Sequence, residues 1–509
     1  MSFKKNALGL PLGVLLVIVL VAPNGWSQEK LNLTIKDSIE IALRNNPSIL
    51  SAGYSVKIAQ ASLNVAIADT LPKLNFNVTT PTSTVVGNAP QTVTTTVLGG
   101  QIKTTTEFEP TLSLGGNLSL SYLLPTAASF TVSLGAAVSR SKASKVTTDG
   151  KETTPDPNDP TFTTRPSLSL RVDQPLFVDG FALARAALDQ ASANLAIAQS
   201  SRAKSGSDLA YNVASAYYSL MRTRKLVGVS QEAVKQAEQS LAIAKEQASL
   251  GAITEVDVKR SEVQLGSARN SLITAQSGAI RAQNNFYDLL KLDPSVQVDL
   301  TEEIGVEPVD VSLQEAIDGA LASRQEIVQA TERVRIAEST LVISSRESKP
   351  NLTLGGGYNM SGSGKEFGES LGNVGWDNWS VSVGLTLPIY DGGRSSGSAE
   401  KALYDLEQAK IGLEAVKSGI VLEVRNVYQT IAEAESKIKV SSDNVALARE
   451  NLSIDTQKFK VGGISSFQLS ATELTFTNAQ TDLVNATIDY NAAKVNLAKA
   501  MGVKLVADR

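Results

Sequence analysis

Cysteine and histidine are both absent from the 509 residues. Without cysteine there is no disulfide framework, no lipid-modified N-terminal cysteine and no thiol nucleophile. Without histidine, the commonest general base and the commonest metal ligand are both missing. No catalytic constellation, cofactor site or metal site is expected, and the chain does not read as an enzyme. Long apolar runs are also scarce. The stretch 8–22 is the one such run, and at about 15 residues it falls short of the roughly 20 that span a bilayer as a helix. With Lys4 and Lys5 before it, and the small residues Gly25 and Ser27 after it, residues 1–27 read as a secretory signal cleaved before Gln28. No transmembrane helix is predicted. Removing the signal moves the net charge from −4 to −6, a mildly acidic balance that argues against nucleic acid as a partner.

What is present is a duplication. Ile35, Ile39, Ala42, Leu43, Ile49, Ala52, Val56, Ala59, Leu63, Pro72 and Leu74 recur 278 residues later as Leu313, Ile317, Ala320, Leu321, Ile327, Ala330, Val334, Ala337, Leu341, Pro350 and Leu352. A second block recurs at a shift of 211: Val213, Leu220, Val227, Val234 and Leu241 map onto Val424, Ile431, Ile438, Val445 and Leu452. Ala268, Ala275 and Ala282 map in the same way onto Ala479, Ala486 and Ala493. The mature chain reads as two copies of one unit, 28–300 and 301–509, the first carrying an insertion at about 79–164.

Each copy opens with a helix, 34–70 or 312–348, broken early at Asn46-Pro47 or Arg324-Gln325. Proline then introduces alternation with period two: Leu74, Phe76 and Val78 in one copy, Leu352 and Leu354 in the other. A second alternating segment follows, at Leu168, Leu170 and Val172 or at Val381, Val383, Leu385 and Leu387. Such alternation marks strands with one apolar and one polar face. The next segments, 180–250 and 393–461, lack proline. In the first, Val213 to Leu241 keep a seven-residue period, with small residues Ala216, Thr223, Ser230, Ala237 and Ala244 at the other seam position. Sustained heptads argue for a coiled-coil rod, ~100 Å long at 1.5 Å per residue. A glycine turn and a returning helix, 253–291 or 464–501, complete each copy. The opening and returning helices together match the rod in length, so two short helices are expected end to end beside one long one.

This reading secures four strands per protomer. An open sheet cannot face hydrocarbon, so the membrane reading requires closure into a barrel; three copies would give twelve strands. The Thr, Ser, Gly and Pro-rich insertion, with alternation at 112–124 and 130–137, forms either an extra hairpin on the barrel rim or a surface loop near it, and 153–160 is expected to be mobile. Phe177, Tyr358, Trp376, Trp379 and Tyr390 lie near strand ends, where they form an interfacial aromatic girdle or ordinary strand packing.

The doubled order of helix, strand, strand, long helix, helix carries a family resemblance. So do the strand entries Leu71-Pro72-Lys73-Leu74 and Lys349-Pro350-Asn351-Leu352, the strand exits Gln174-Pro175-Leu176 and Leu387-Pro388-Ile389, and the glycine hairpin tips. Over essentially all of the mature chain except the insertion, the sequence resembles the TolC-like outer-membrane efflux family. The resemblance implies an α+β membrane protein: a homotrimeric, twelve-stranded β-barrel in outer-membrane lipid, continuous with a long α-helical coiled-coil tunnel through the periplasm. It implies an exit duct of a tripartite efflux pump or type I secretion system, with a periplasmic adaptor (membrane fusion) protein and an inner-membrane transporter as partners. It further implies adaptor contacts at Leu250, Gly251, Ala252, Ile253 and Thr254 and at Val461, Gly462, Gly463, Ile464 and Ser465, residues that read equally as tight turns between helices. Asp257, beside Glu255, fits the acidic position the family places at the periplasmic entrance, and both also suit the first turn of a helix. The second copy departs from that pattern, with Gln468 and Ala471 in the corresponding places. A purely structural periplasmic coiled-coil protein is the alternative reading, and an envelope hydrolase on a helical scaffold a further one.

Overall fold

The computed structural model describes residues 30–84, 91–97, 100–107, 111–124, 126–141, 145–149, 151–153, 161–176, 180–302, 305–347, 349–375, 378–503 and 505. The signal segment, most of the stretch expected to be mobile, and the girdle candidates Phe177 and Trp376 lie outside the described residues.

The described chain begins with β1 (Lys30–Leu33), α1 (Ile35–Asn45) and α2 (Pro47–Asp69). Thr34 and Asp37 form a reciprocal capping box on α1, satisfying N–H groups that a helix start leaves unpaired. Asn46 ends α1 in extended conformation and caps α2, whose Pro47 occupies the first turn, where a missing N–H costs nothing. Then come β2 (Lys73–Thr84), β3 (Gln91–Val97), β4 (Gly100–Glu107), β5 (Thr111–Leu123), β6 (Ser129–Ser141), β7 (Lys145–Thr148), β8 (Lys151–Thr153) and β9 (Thr161–Pro175). The rod α3 (Gly180–Ser249) is 70 residues long and turns back into α4 (Glu255–Leu290).

After β10 (Gln297–Leu300), the order repeats with α5 (Leu313–Ser323) and α6 (Gln325–Ser344). Ser312 and Glu315 form a second capping box on α5. Next are β11 (Asn351–Ser361), the short α7 (Phe367–Gly372) and β12 (Trp379–Thr386). The second rod, α8 (Arg394–Lys460, 67 residues), returns through α9 (Ser466–Ala500). Helices α1, α2 and α4 pack along α3, and α5, α6 and α9 along α8, so each long helix is flanked by short ones in series.

The two largest buried clusters among the described residues hold these bundles together. In one, Tyr217 and Phe286 meet edge to face at 6.0 Å among Leu33, Ile39, Leu220 and Leu290. The Tyr217 hydroxyl donates to the carbonyl of Leu33 (3.1 Å) and accepts from the N–H of Glu302 (3.3 Å). These bonds tie α3 to the parallel pair β1 and β10, which brings together the two ends of the first copy. Those strands are four residues each, too short for periodicity to reveal. In the other core, Ile317, Ala320, Val424 and Ile431 surround Tyr490, whose hydroxyl donates to the Glu307 carbonyl at 2.6 Å.

The main sheet corrects the sequence reading. Its order is β12-β11-β9-β6-β5-β2, six antiparallel strands where four were expected. The insertion supplies the difference. Its hairpin β5–β6 is neither a rim addition nor a surface loop: it sits inside the sheet, between β2 and β9. The physical reason is its own alternation, which matches theirs in phase and aligns the rows from Lys73 to Thr79 of β2, before an irregularity between Thr79 and Thr82 shifts the register. The expected count of four strands per protomer is thus six in this sheet. The remaining strands form a separate four-stranded sheet, β3-β4-β7-β8, within the β2–β5 and β6–β9 connections at the end of the main sheet away from the helices.

Candidate functional site

The main sheet is amphipathic across its whole width. Paired registers carry one row through Leu74, Leu120, Val132, Leu170, Tyr358 and Trp379, all lipophilic. The neighbouring row runs through Asn75, Ser119, Ser133, Ser169 and Asn359, all polar. Since side chains alternate across a strand, the two rows lie on opposite faces. The apolar face stands open: Leu74, Phe76, Leu134, Trp379 and Val383 are more than half exposed. A contiguous lipophilic band of this kind marks a membrane contact. The polar face is Ser, Asn and Gly, with an Arg171 to Asp173 ion pair at 2.6 Å. Both edges, β2 and β12, lack a strand partner on their outer sides among the described residues. Of the girdle candidates, Tyr358 and Trp379 face each other in β11 and β12, and Tyr390 is almost fully exposed in the segment between β12 and α8.

At the opposite end are the hairpin tips. In the first, Gly251 adopts φ +69°. The N–H of Gly251 donates to the Ala248 carbonyl and that of Ala252 to Gln247. The second tip repeats this with Gly462 at φ +73°, Gly462 donating to Phe459 and Gly463 to Lys458. Both are helix ends of the Schellman type, in which a left-handed glycine lets two N–H groups satisfy orphaned carbonyls. Leu250 and Val461 project outward, 77% and 82% exposed, while Ile253 and Ile464 pack inward on Ala244, Phe459 and Leu469. Thr254 and Ser465 occupy the N-caps of the returning helices.

Asp257 joins the two tips. It accepts from Thr254 Oγ1 at 2.7 Å and from Ser466 Oγ at 2.9 Å, across from α4 to α9. Those hydroxyls, Thr254 first, hold its carboxyl below the usual range. Glu255 is exposed beside it, and Gln468 and Ala471 are exposed on α9.

Sequence reasoning missed Glu473. It lies seven residues after Ser466 in the buried stripe of α9, a spacing that could have flagged it. It is 7% exposed, accepts a hydrogen bond from Ser240 of α3, and borders a cleft of ≈ 450 Å³ lined also by Val256, Lys259, Val263, Phe467 and Leu469. Burial pushes its carboxyl up. The folded state thus holds its proton to higher pH than the unfolded chain, so stability falls as pH rises from the unfolded value, about 4.3, through the folded one. Glu473→Gln is expected to melt higher than the parent at pH 8, with the gain shrinking toward pH 4. Thermal melts across that range check this, and a gain independent of pH contradicts it. Among the described residues no group of His, Cys, Asp or Glu could hold a metal ion, and no helix is long and apolar enough to cross a membrane.

A sheet with one lipophilic face, set on paired helical rods, defines the class: a membrane-embedded β-structure on a coiled-coil stalk. The family model described as Outer membrane efflux protein matches residues 129–290 and 316–503, and the chain belongs to that family. It resides in the outer membrane. Outer membrane protein TolC of Escherichia coli (strain K12) is 23% identical over 308 residues, covering 58% of this chain and 61% of that protein. Alkaline protease secretion protein AprF of Pseudomonas aeruginosa is 23% identical, over 67% of this chain and 70% of AprF. The CmeC outer membrane channel of Campylobacter jejuni has the same fold, with a TM-score of 0.66 at 13% identity over 92% of this chain and 85% of CmeC.

Proposed function

We propose that the chain is one protomer of a homotrimeric exit duct that passes solutes or polypeptide across the periplasm and outer membrane without chemical change, as part of an efflux pump or type I secretion system. The observation that carries this is the six-stranded sheet, lipophilic on one face and polar on the other, standing on rods ~100 Å long. Hydrocarbon does not tolerate its open edges β2 and β12, which run in opposite directions and so suit antiparallel pairing between copies. A structural coiled-coil protein without a channel leaves the lipophilic band with nothing to contact. Burial of Ile39 and Ala42 in one core and of Ile317 and Ala320 in the other supports reading the bundle as a duplicated unit.

The exposed Leu250 and Val461 at the tips suit an apolar contact with a periplasmic adaptor, itself joined to an inner-membrane transporter. The other tip residues shape the turns that present them. Glu255 and Asp257, with Gln468 and Ala471 opposite, stand at the periplasmic entrance in this reading.

Full-length protein reconstituted into planar lipid bilayers is expected to give stepwise conductance, and chemical crosslinking in detergent to stop at a trimer. A water-soluble monomer that leaves the bilayer silent overturns the reading.

A further inference from the structure

We propose that three protomers close an eighteen-stranded barrel, wider than the twelve-stranded one the family resemblance implies, because the β5–β6 hairpin is part of the membrane wall. This inference rests on the trimeric duct reading and adds to it the dimension of the outer bore.

Four observations place the hairpin in the wall. First, β5 and β6 bring 13 residues each, enough for the 9–11 that cross a bilayer as a tilted strand. Second, they pair over long registers: β5 with β2 from Lys73↔Ser121 to Thr79↔Gly115 and, past an irregularity, from Thr82↔Ser113 to Thr84↔Thr111, and β6 with β9 without a break from Ser129↔Asp173 to Ser141↔Thr161. Third, their faces continue those of the flanking strands. Leu118, Leu120, Val132 and Leu134 extend the lipophilic band, and Ser119, Ser121, Thr131 and Ser133 the polar face. Fourth, the turn between them lies at the helix end of the sheet and is built as a tight reversal. The N–H of Leu124 donates to the Ala128 carbonyl at 2.8 Å, and Ala127 takes φ +62°. Ala128 is 3% exposed, and Gln174 of β9 bonds both the hydroxyl and the carbonyl of Thr126. Adding two strands keeps the parity even, so β2 and β12 still run in opposite directions and close antiparallel.

The tilt follows from the registers. The row starting at Leu74, second residue of β2 from the helix side, ends at Trp379, at the far end of the eight-residue β12. That climb of about six residues, ~20 Å, over five interstrand steps totalling ~24 Å gives a tilt of ~40°, inside the 35–45° of closed barrels. At that tilt, eighteen strands enclose a backbone diameter of ~36 Å, against ~24 Å for twelve. The outer end is then a wide Ser and Asn-lined bore, and the narrow point of the duct lies among the helices.

The absence of cysteine makes a disulfide test clean. In the full-length protein, the pairs Asn75→Cys with Ser119→Cys, and Ser133→Cys with Ser169→Cys, sit directly opposite each other and are expected to link within one chain. Asn75→Cys with Ser169→Cys, three strands apart at ~14 Å, is expected not to link. Spin labels placed singly at 118, 119, 133 and 134 in liposomes supply a second readout. Positions 118 and 134 should respond to lipid-soluble oxygen, and 119 and 133 to a water-soluble nickel chelate. A trimer that links 75 to 169, or in which all four labels respond alike to the chelate, overturns the eighteen-stranded wall and leaves the duct standing. A monomer without conductance overturns the duct and this inference with it.

Discussion

Tyr217→Ala should cost about 3–5 kcal/mol of stability, the range for truncating a fully buried aromatic. The ring is 0% exposed, and its removal leaves a cavity between Phe286 and Leu220. It also removes the donor to Leu33 and the acceptor for Glu302, which hold the β1–β10 pair against α3. Tyr217→Phe keeps the ring and loses only the hydroxyl, so about 1 kcal/mol is expected. Burial pushes this hydroxyl's pKa up, and that of neighbouring Tyr218 to about 12, so both stay neutral and the difference between the variants should not change between pH 6 and 9. Chemical denaturation followed by circular dichroism measures the pair. Equal losses for Ala and Phe would show that the hydroxyl, rather than ring packing, dominates.

Arg324→Ala is expected to cost about 2–3 kcal/mol, less than the 3–5 for breaking a fully buried pair because its partners are partly hydrated. Arg324 stands at the break between α5 and α6 with its side chain 11% exposed. It donates to Glu326 at 3.0 Å, to Glu423 of α8 at 2.9 Å and to the Ala500 carbonyl of α9 at 3.2 Å. The chain of charges continues through Lys204 to Asp208 (2.6 Å), and from Asp208 to Lys499 (3.0 Å), joining α3 to α9. Burial alone would raise Glu326 and Asp208; the hydrogen bonds from Arg324 to the first, and from Lys204 and Lys499 to the second, outweigh it and hold both carboxyls below their ordinary values.

The sign of the pH dependence follows. A depressed carboxyl contributes stability in full above its unfolded value, about 4, and loses it as pH falls through the folded one. The gap between parent and Arg324→Ala should therefore be widest at neutral pH and narrow on acidification to pH 3. Melting curves at pH 7 and pH 3 check this, and a gap that widens in acid contradicts it.

Much of this architecture is written in local patterns. The helix break at Asn46-Pro47 follows from an N-cap side chain followed by a residue without an N–H, and the tips at Gly251 and Gly462 from the left-handed backbone that glycine alone adopts cheaply. Less local facts stayed hidden. Asp257 looked like a first-turn charge, and nothing in its neighbourhood of the sequence points to Ser466, 209 positions away. Glu473 is chemically ordinary until α3 and α4 close around it. Tyr217 sits beside the heptad seam of α3, and only packing reveals that it bonds a carbonyl 184 positions earlier.

By itself the sequence determined the rods, the hairpin tips, the doubled order and the two-faced strands, because heptads, caps, glycine turns and alternation act between near neighbours. It also contained the alternation of β5 and β6. Only the tertiary structure decided that this hairpin enters the sheet between β2 and β9, since which strand pairs with which depends on aligning faces brought together from distant parts of the chain. The count of six strands, and with it the width of any barrel they close, follows from that pairing.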